Sequence, residues 1–233
     1  MKRSCEKEMM DLGGNTPDLL ADDLHNLRIL NRYLRGRRCV MLALQRALRR
    51  EGLNRFSLLD IGTGSADIPA AILAWCKRTG TGARIVGLEA DPTTARIAAR
   101  RTRQSPDITI VHGDAAAPPF LPGSFDFVVA SQVLHHFPDE TIVELLLNWS
   151  KLARKAIVIS DLIRHPLAYH GVRLLTFLTT RNIMTRTDAP LSVRRALTFK
   201  EWRDLLRRAA IGPIEIFSVF PFRVAACVNL RGR

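Results

Sequence analysis

An α/β fold built on one seven-stranded, mostly parallel sheet with helices on both faces is predicted by three observations. Short β-type runs alternate with helical runs from Phe56 to Asp161, two of the β-type runs are almost wholly apolar, and the chain closes on two runs joined by a tight turn. Strands separated by helical segments require right-handed crossovers, and hence a parallel sheet covered on both faces. Leu58-Leu59-Asp60-Ile61 and Phe127-Val128-Val129-Ala130 have the near-continuous apolar character of strands buried on both sides.

The elements follow in order. From Pro17 to Leu34, the residues Leu20, Leu24, Leu27, Leu30 and Leu34 recur at spacings of three and four, which sets them on one helix face. A second helical run, Cys39 to Arg50, stops at Glu51-Gly52, so residues 17–52 form an N-terminal helical cap. The core, 55–161, reads as strand Phe56–Ile61, helix Ile68–Arg78, strand Arg84–Leu88, helix Pro92–Gln104 and strands Ile108–His112 and Phe125–Ala130. Helix Asp139–Ala153 and strand Ala156–Asp161 complete it. Residues 162–198 break the alternation and read as a helical lid insertion, apolar through Leu167, Val172, Leu174, Leu175, Phe177 and Leu178 and polar afterwards. In the closing unit, 199–233, helix Lys200–Ala210 leads to Ile214–Val219 and Phe222–Leu230, an antiparallel hairpin turning at Phe220-Pro221. No repeat or low-complexity linker divides the chain, so 1–233 is read as a single domain.

With 233 residues and 47% of them apolar, the chain can bury a sizeable core, which excludes disordered and collagen-like classes. The most apolar stretch, Ile216 to Leu230, is interrupted by Arg223 and falls short of the roughly 20 residues that a membrane-spanning helix needs. No apolar segment follows the charged Met1 to Asp11, so a cytoplasmic protein is the expectation. Cys5, Cys39, Cys76 and Cys227 are scattered singly, and neither a disulfide framework nor a metal site is expected. The formal charge of +13 could serve nucleic acid, an anionic membrane or an acidic ligand. Arg35-Arg37-Arg38, Arg49-Arg50, Arg100-Arg101-Arg103 and Arg207-Arg208 fall mostly at helix ends or on outward helix faces with no aromatic platform between them. That argues against nucleic acid and sets the arginines on the outside, leaving peripheral contact with an anionic membrane open.

The chemistry is concentrated in Asp60-Ile61-Gly62-Thr63-Gly64-Ser65-Ala66-Asp67, a strand passing through a two-glycine turn into a helix, with Asp67 as its expected cap. Glycines let the backbone approach a ligand at the carboxyl edge of the sheet. Asp67 stands where a dinucleotide fingerprint has its last glycine and would repel a pyrophosphate, and no Gly-Lys-Ser/Thr follows. A nucleoside with a cationic tail fits better: Asp60 can meet an ammonium, Glu89 can accept from both ribose hydroxyls, and Asp114 can accept from an adenine amine.

These residues resemble the class I S-adenosylmethionine-dependent methyltransferases over about Phe56 to Asp161. The glycine motif (D/E)xGxGxG is met by Asp60, Gly62 and Gly64, with Ala66 in the third glycine place. Glu89 matches the acidic end of the second strand, Asp114 the adenine contact, and Ser124 to Ser131 the fourth strand. Val133-Leu134-His135-His136-Phe137 is similar to the segment following that strand in small-molecule methyltransferases related to the quinone-biosynthesis enzymes. The resemblance implies a Rossmann-like fold and S-adenosyl-L-methionine as cofactor, leaving S-adenosyl-L-homocysteine. Its contacts would come from Asp60, Gly62, Thr63, Gly64, Glu89, Ala90, Asp114, Ala115 and Ser131. A finer resemblance, over Asp161 to Tyr169 and Leu191 to Ala196, is to methyltransferases found with type III polyketide synthases, which implies O-methylation of phenolic or pyrone lipids.

Methyl transfer to a hydroxyl needs a base, and His135 or His136, oriented by Asp161 at the end of the next strand, are the catalytic candidates. Adjacent histidines are expected to point apart, leaving one to pack or cap. His165 and His170 read as lid residues, His25 and His112 as structural, and Asp126 as a local capping group. The place of an amine-binding (N/D)PP(F/Y) run is taken by Ser131-Gln132-Val133-Leu134, which disfavours amine methylation. The apolar insertion, read as a cover over the acceptor, favours a hydrophobic small molecule. The alternatives are C-methylation of a quinone-like ring, an RNA methyltransferase, and a non-catalytic nucleoside-binding scaffold.

Overall fold

A computed structural model describes residues 1–230; positions 231–233 of the expected closing unit lie outside the described residues. Helix α1 (Pro17–Tyr33) starts where the Thr16 hydroxyl accepts from the Leu19 N–H and Pro17 occupies the first turn. Helix α2 (Gly36–Glu51) ends at Gly52, whose left-handed backbone (φ 63°) returns its N–H to the last turn. Strands β1 (Arg55–Ile61), β2 (Gly82–Glu89) and β3 (Ile108–His112) are linked through α3 (Asp67–Thr79) and α4 (Pro92–Thr102). Strand β4 (Phe125–Ser131) leads by a 3₁₀ turn, Leu134–His136, to α5 (Asp139–Leu152) and directly into β5 (Ala153–Leu162). Helices α6 (Pro166–Thr179), α7 (Ile183–Arg195) and α8 (Phe199–Ala209) precede the hairpin β6 (Ile214–Val219) and β7 (Arg223–Asn229).

The strands lie in the order β3-β2-β1-β4-β5-β7-β6. Pairing is parallel from β3 to β5 and antiparallel where β7 inserts between β5 and β6. The sheet therefore reverses direction of travel between β1 and β4, the crevice where open α/β sheets bind ligands. Successive residues of β1 and β4 enter opposite layers: Leu58, Phe127 and Val129 pack toward α2 and α3, whereas Leu59, Val128 and Ala130 pack toward α5 and α8. Trp149 and Trp202 are fully buried in the second layer, where truncation of such a side chain to alanine costs about 3–5 kcal/mol.

The expected sheet, hairpin and N-terminal helices are present, and four expectations are corrected. The polar half of the insertion is a helix, α7, and it is buried through Met184, Ala189, Pro190, Leu191 and Val193. Its partner α6 buries only Thr176 and leaves Leu167, Leu174, Phe177 and Leu178 each more than half exposed, so the apolar half is not packed down as a cover. Asp67 is not a cap: Ala66 holds that position with a left-handed backbone, and the Asp67 carboxylate instead meets the Arg37 Nε at 3.2 Å. Nor do all arginines lie outside, because Arg195 and Arg223 are buried against backbone carbonyls.

Candidate active site

The glycine turn is shaped by close approach. Gly62 (φ 64°) sits so near the segment after β4 that a Cβ on it would lie 2.4 Å from Val133 Cγ2. Gly64 (φ 54°) would meet nothing nearer than Leu24 of α1, at 4.0 Å. Ala66, in the third glycine place, takes the left-handed backbone (φ 57°) that a glycine would take there. Within the turn, the Thr63 hydroxyl donates to Asp60 Oδ2 at 2.7 Å. Asp60 is buried, which pushes its carboxyl up to about 7 against the Thr63 hydrogen bond, with Asp67 and Glu89 adding repulsion.

Glu89 accepts from the Gly64 N–H at 2.8 Å and the Asp91 N–H at 3.1 Å, so the end of β2 is tied to the glycine turn. Each carboxylate oxygen retains a lone pair for a further donor. Burial raises the Glu89 pKa despite these backbone hydrogen bonds. Asp114, beyond β3, is exposed, and its carboxylate accepts from the Ala116 N–H at 2.8 Å. Ala90 is exposed and Ala115 half-buried, and the Ala115 carbonyl accepts from the Trp149 indole at 2.8 Å. The Ser131 hydroxyl, at the end of β4, has no hydrogen-bond partner among the described residues although it is buried.

After Ser131 the chain turns sharply at Gln132 (φ 58°), whose N–H donates to the Ser160 carbonyl at 2.8 Å. This delivers His135 beneath β5. Its Nδ1 lies 2.7 Å from Asp161 Oδ1, and its backbone N–H donates to Asp161 Oδ2 at 3.3 Å. The pairing of His135 with Asp161 is thus as the sequence suggests, but both groups are buried and a third is present that the sequence did not suggest. Glu8, itself buried, brings Oε1 to 3.6 Å from His135 Nε2 and Oε2 to 3.9 Å from His136 Nε2. The histidine rings do not diverge; in the tight 3₁₀ turn they lie 4.4 Å apart at 30°, both facing Glu8. His136 Nδ1 meets Asp11 Oδ2 at 2.9 Å.

Burial alone would lower the His135 pKa, but the charge and hydrogen bond of Asp161, joined by Glu8, drive it up to about 10. Burial works against ionisation of Asp161 and Glu8 as well, yet the facing imidazoles hold both carboxyls below their ordinary values. Segment 1–12 is strapped down by further contacts. Arg195 donates to the carbonyls of His136 at 2.6 Å and Glu6 at 2.9 Å and to Asp11 at 3.1 Å, and Asp188 accepts from the Met9 and Met10 N–H groups. Arg3 reaches Asp139 and the Phe137 carbonyl. Glu8, Asp11 and Arg195 are the site-lining residues that sequence reasoning missed; only Arg195 fell within a segment it singled out, Leu191 to Ala196, and there without a role at the site.

Elsewhere the placements agree with structural roles. His112 contacts the Ala90 carbonyl at 3.0 Å and His25 contacts Arg28, while Asp126 accepts from Ser57 and Arg154. His165 caps α6 by accepting from the Leu167 N–H and stacks on Phe222.

Comparison with known proteins accords with this geometry. Residues 58–156 match the sequence family described as a methyltransferase domain. A demethylmenaquinone methyltransferase of Thermus thermophilus is 32% identical over 104 residues, 44% of this chain and 42% of that protein. One from Staphylococcus carnosus is 26% identical over 141 residues, 60% of this chain and 55% of that protein. The chain thus spans about half the length of the curated relatives it matches. Among solved structures, human N-acetylserotonin methyltransferase in complex with S-adenosylmethionine superposes with a TM-score of 0.64 at 18% identity, over 92% of this chain and 56% of that one. Magnesium protoporphyrin IX methyltransferase from Synechocystis, with bound S-adenosylhomocysteine, gives 0.57 at 15% identity over 84% of each chain. The sheet order and the glycine crevice define a Rossmann-like fold of the methyltransferase type. The methyltransferase-domain match lies inside that sheet, over residues 58–156, and S-adenosylmethionine is the cofactor that this match implies.

The residues present fit that cofactor. The turn carries no side chain at Gly62 or Gly64, and Glu89 and Asp60 keep acceptor capacity for hydroxyl and ammonium donors. The unpartnered Ser131 hydroxyl lies on β4, the strand paired with β1 at the crevice.

Proposed function

We propose that the protein transfers a methyl group from S-adenosylmethionine to a hydroxyl of a hydrophobic small molecule, phenolic, polyketide-derived or lipid-like, with His135 as base and Asp161 as its orienting partner. The observation that carries this reading is the buried 2.7 Å contact between His135 Nδ1 and Asp161 Oδ1, at the same sheet edge as the glycine turn. The cofactor supplies an already activated sulfonium methyl. The chain's own tasks are therefore alignment, which can supply about 7–11 kcal/mol, and management of the acceptor proton.

Asp60 is assigned to the ammonium, Glu89 to the ribose and Asp114 to the adenine; Gly62, Thr63, Gly64, Ala90, Ala115 and Ser131 are assigned to the walls of the same site. With its Nδ1 on Asp161, His135 has Nε2 to take the acceptor proton once that nitrogen has lost its own. Asp161 and Glu8 oppose that loss while the strap is closed, holding the ring protonated up to about pH 10. Because Nε2 faces Glu8, an acceptor reaches it only when the strap of residues 1–12 yields. His136, stacked on His135 and held by Asp11, is assigned to positioning that strap.

A panel of lipid-soluble phenols incubated with methyl-labelled cofactor and read by mass spectrometry tests the proposal. An O-methyl product lost in His135→Ala is expected; transfer to carbon would replace the reading. Carbon methylation of a quinone-like ring is the second reading, favoured by the matches to proteins named for demethylmenaquinone. An RNA acceptor would show steep weakening with salt, which the proposal does not predict.

Acceptor delivery is assigned to α6, whose exposed Leu174, Phe177 and Leu178 flank Arg173 beside a cleft of about 410 Å³. No described helix is long and apolar enough to cross a membrane. Peripheral docking of this face on anionic vesicles is the form of membrane contact we propose, in a cytoplasmic setting. Co-sedimentation with such vesicles, lost in Phe177→Asp, checks it.

A further inference from the structure

We infer that Glu8, His135 and His136 form a binding site for one divalent transition-metal ion of the zinc class, closing the strap of residues 1–12 over the acceptor side of the sheet. The inference goes beyond the methyl-transfer reading and does not depend on it: the ion and the acceptor proton would compete for His135 Nε2, so bound metal holds the strap closed, and cation binding can be read without cofactor or acceptor.

Three observations carry it. The ligand atoms of the three residues lie within 4.8 Å of one another, with Glu8 Oε1 3.6 Å from His135 Nε2 and Glu8 Oε2 3.9 Å from His136 Nε2. Zinc bonds of about 2.0–2.1 Å at tetrahedral angles set such atoms roughly 3.3 Å apart, so little contraction is needed on the Glu8 side. His135 Nε2 and Glu8 Oε1 are moreover buried with no hydrogen-bond partner among the described residues. Finally, each imidazole has its Nδ1 on a carboxylate, His135 on Asp161 at 2.7 Å and His136 on Asp11 at 2.9 Å. That is the outer-shell arrangement that directs Nε2 toward a metal and orients the ring.

The charge around the site agrees. Glu8, Asp11 and Asp161 supply three negative charges, and Arg195, 3.8 Å from Glu8 Oε1, supplies one positive charge. With neutral imidazoles the surplus is negative, and Asp188, which accepts from the Met9 and Met10 N–H groups, adds to it. Two nitrogens and one carboxylate suit zinc, cobalt(II) or iron(II) better than magnesium or calcium, which prefer all-oxygen sets. Three protein ligands leave a fourth position open, as in zinc sites that bind water or substrate.

The test is titration of the chelator-treated full-length protein with Co²⁺, followed by its visible absorption and by calorimetry, then displacement with Zn²⁺. One equivalent is expected, with affinity falling at least tenfold in Glu8→Gln and in His136→Asn, and about 10–100-fold in Asp11→Asn. His170→Ala, at an exposed histidine outside the cluster, should leave it unchanged. X-ray absorption of the zinc-loaded wild-type protein should show imidazole and oxygen neighbours only, a readout independent of whether a variant folds. Failure of the wild-type protein to bind either ion, equal binding by Glu8→Gln, or a sulfur neighbour, which would point to exposed Cys5, overturns the assignment.

Discussion

On the side of the sheet edge proposed for the cofactor each carboxylate belongs to its own strand: Asp60 stands within β1, Glu89 ends β2, and Asp114 lies just past β3. On the side proposed for the acceptor the groups arrive from far apart, with Asp11 meeting His136 across 125 residues and Arg195 meeting Asp11 across 184. The first half is a product of local turn chemistry on a parallel sheet and is tied together by backbone N–H groups, such as that of Gly64 on Glu89. The second is a buried network of charges, in which removing one member leaves another uncompensated. The proposed nucleoside site is thereby built from the strands of the fold itself, whereas the proposed acceptor site depends on a strap laid over them. The two halves should respond separately to substitution.

The largest expected effect falls on the acceptor half. His135→Ala should lower kcat by about 10²–10⁴-fold, the usual contribution of a positioned base, with the KM for S-adenosylmethionine nearly unchanged. Steady-state kinetics on a methylated phenol would show this, and an equal rise in cofactor KM would merge the halves. Next comes Glu89→Ala, which removes the acceptors proposed for two ribose hydroxyls. At about 1.5–3 kcal/mol for each hydrogen bond to a charged group, cofactor affinity should fall by at least about 10²-fold and the cofactor-induced rise in Tm should vanish.

A smaller effect separates the halves by pH. Asp60, with its carboxyl pushed up to about 7, is largely protonated below that value and so cannot pair with an ammonium. Cofactor affinity should therefore be level above about pH 7 and weaken by up to tenfold per unit as pH falls below it. Calorimetry from pH 5.5 to 8 checks the sign, and Asp60→Asn should flatten the profile. The smallest effect concerns the hinge between the halves. Gly62→Ala places a Cβ 2.4 Å from Val133 Cγ2 at φ 64°, which should destabilise the protein by about 1–3 kcal/mol, measurable by denaturant titration.

What could be read from sequence divides along the same line. The alternation of strands and helices, the glycine turn, Glu89 and the closing hairpin are written in contiguous residues with a period or a motif. The His135–Asp161 contact was accessible because Asp161 lies near the end of β5 and His135 follows the end of its neighbour β4. Helix α7 was hidden, since its polar composition and internal Pro190 give no amphipathic stripe although its neighbours bury it. The exposed leucines of α6 misled for the complementary reason: apolar spacing shows that residues share a face, not what that face meets. Glu8 had no signal, because a glutamate in a charged N-terminal segment ordinarily stays in water. The stacked histidines escaped because divergence of neighbours holds for a regular helix, whereas Leu134–His136 is a single 3₁₀ turn entered from the left-handed Gln132.

Calorimetric titration of S-adenosylhomocysteine into the wild-type protein, Glu89→Ala and His136→Ala tests the separation of the two halves most directly, since it needs no acceptor. The wild-type protein and His136→Ala should bind with affinities within about threefold of each other, whereas Glu89→Ala should lose at least about 10²-fold. Wild-type affinity in Glu89→Ala, or loss of binding in His136→Ala, would contradict the account.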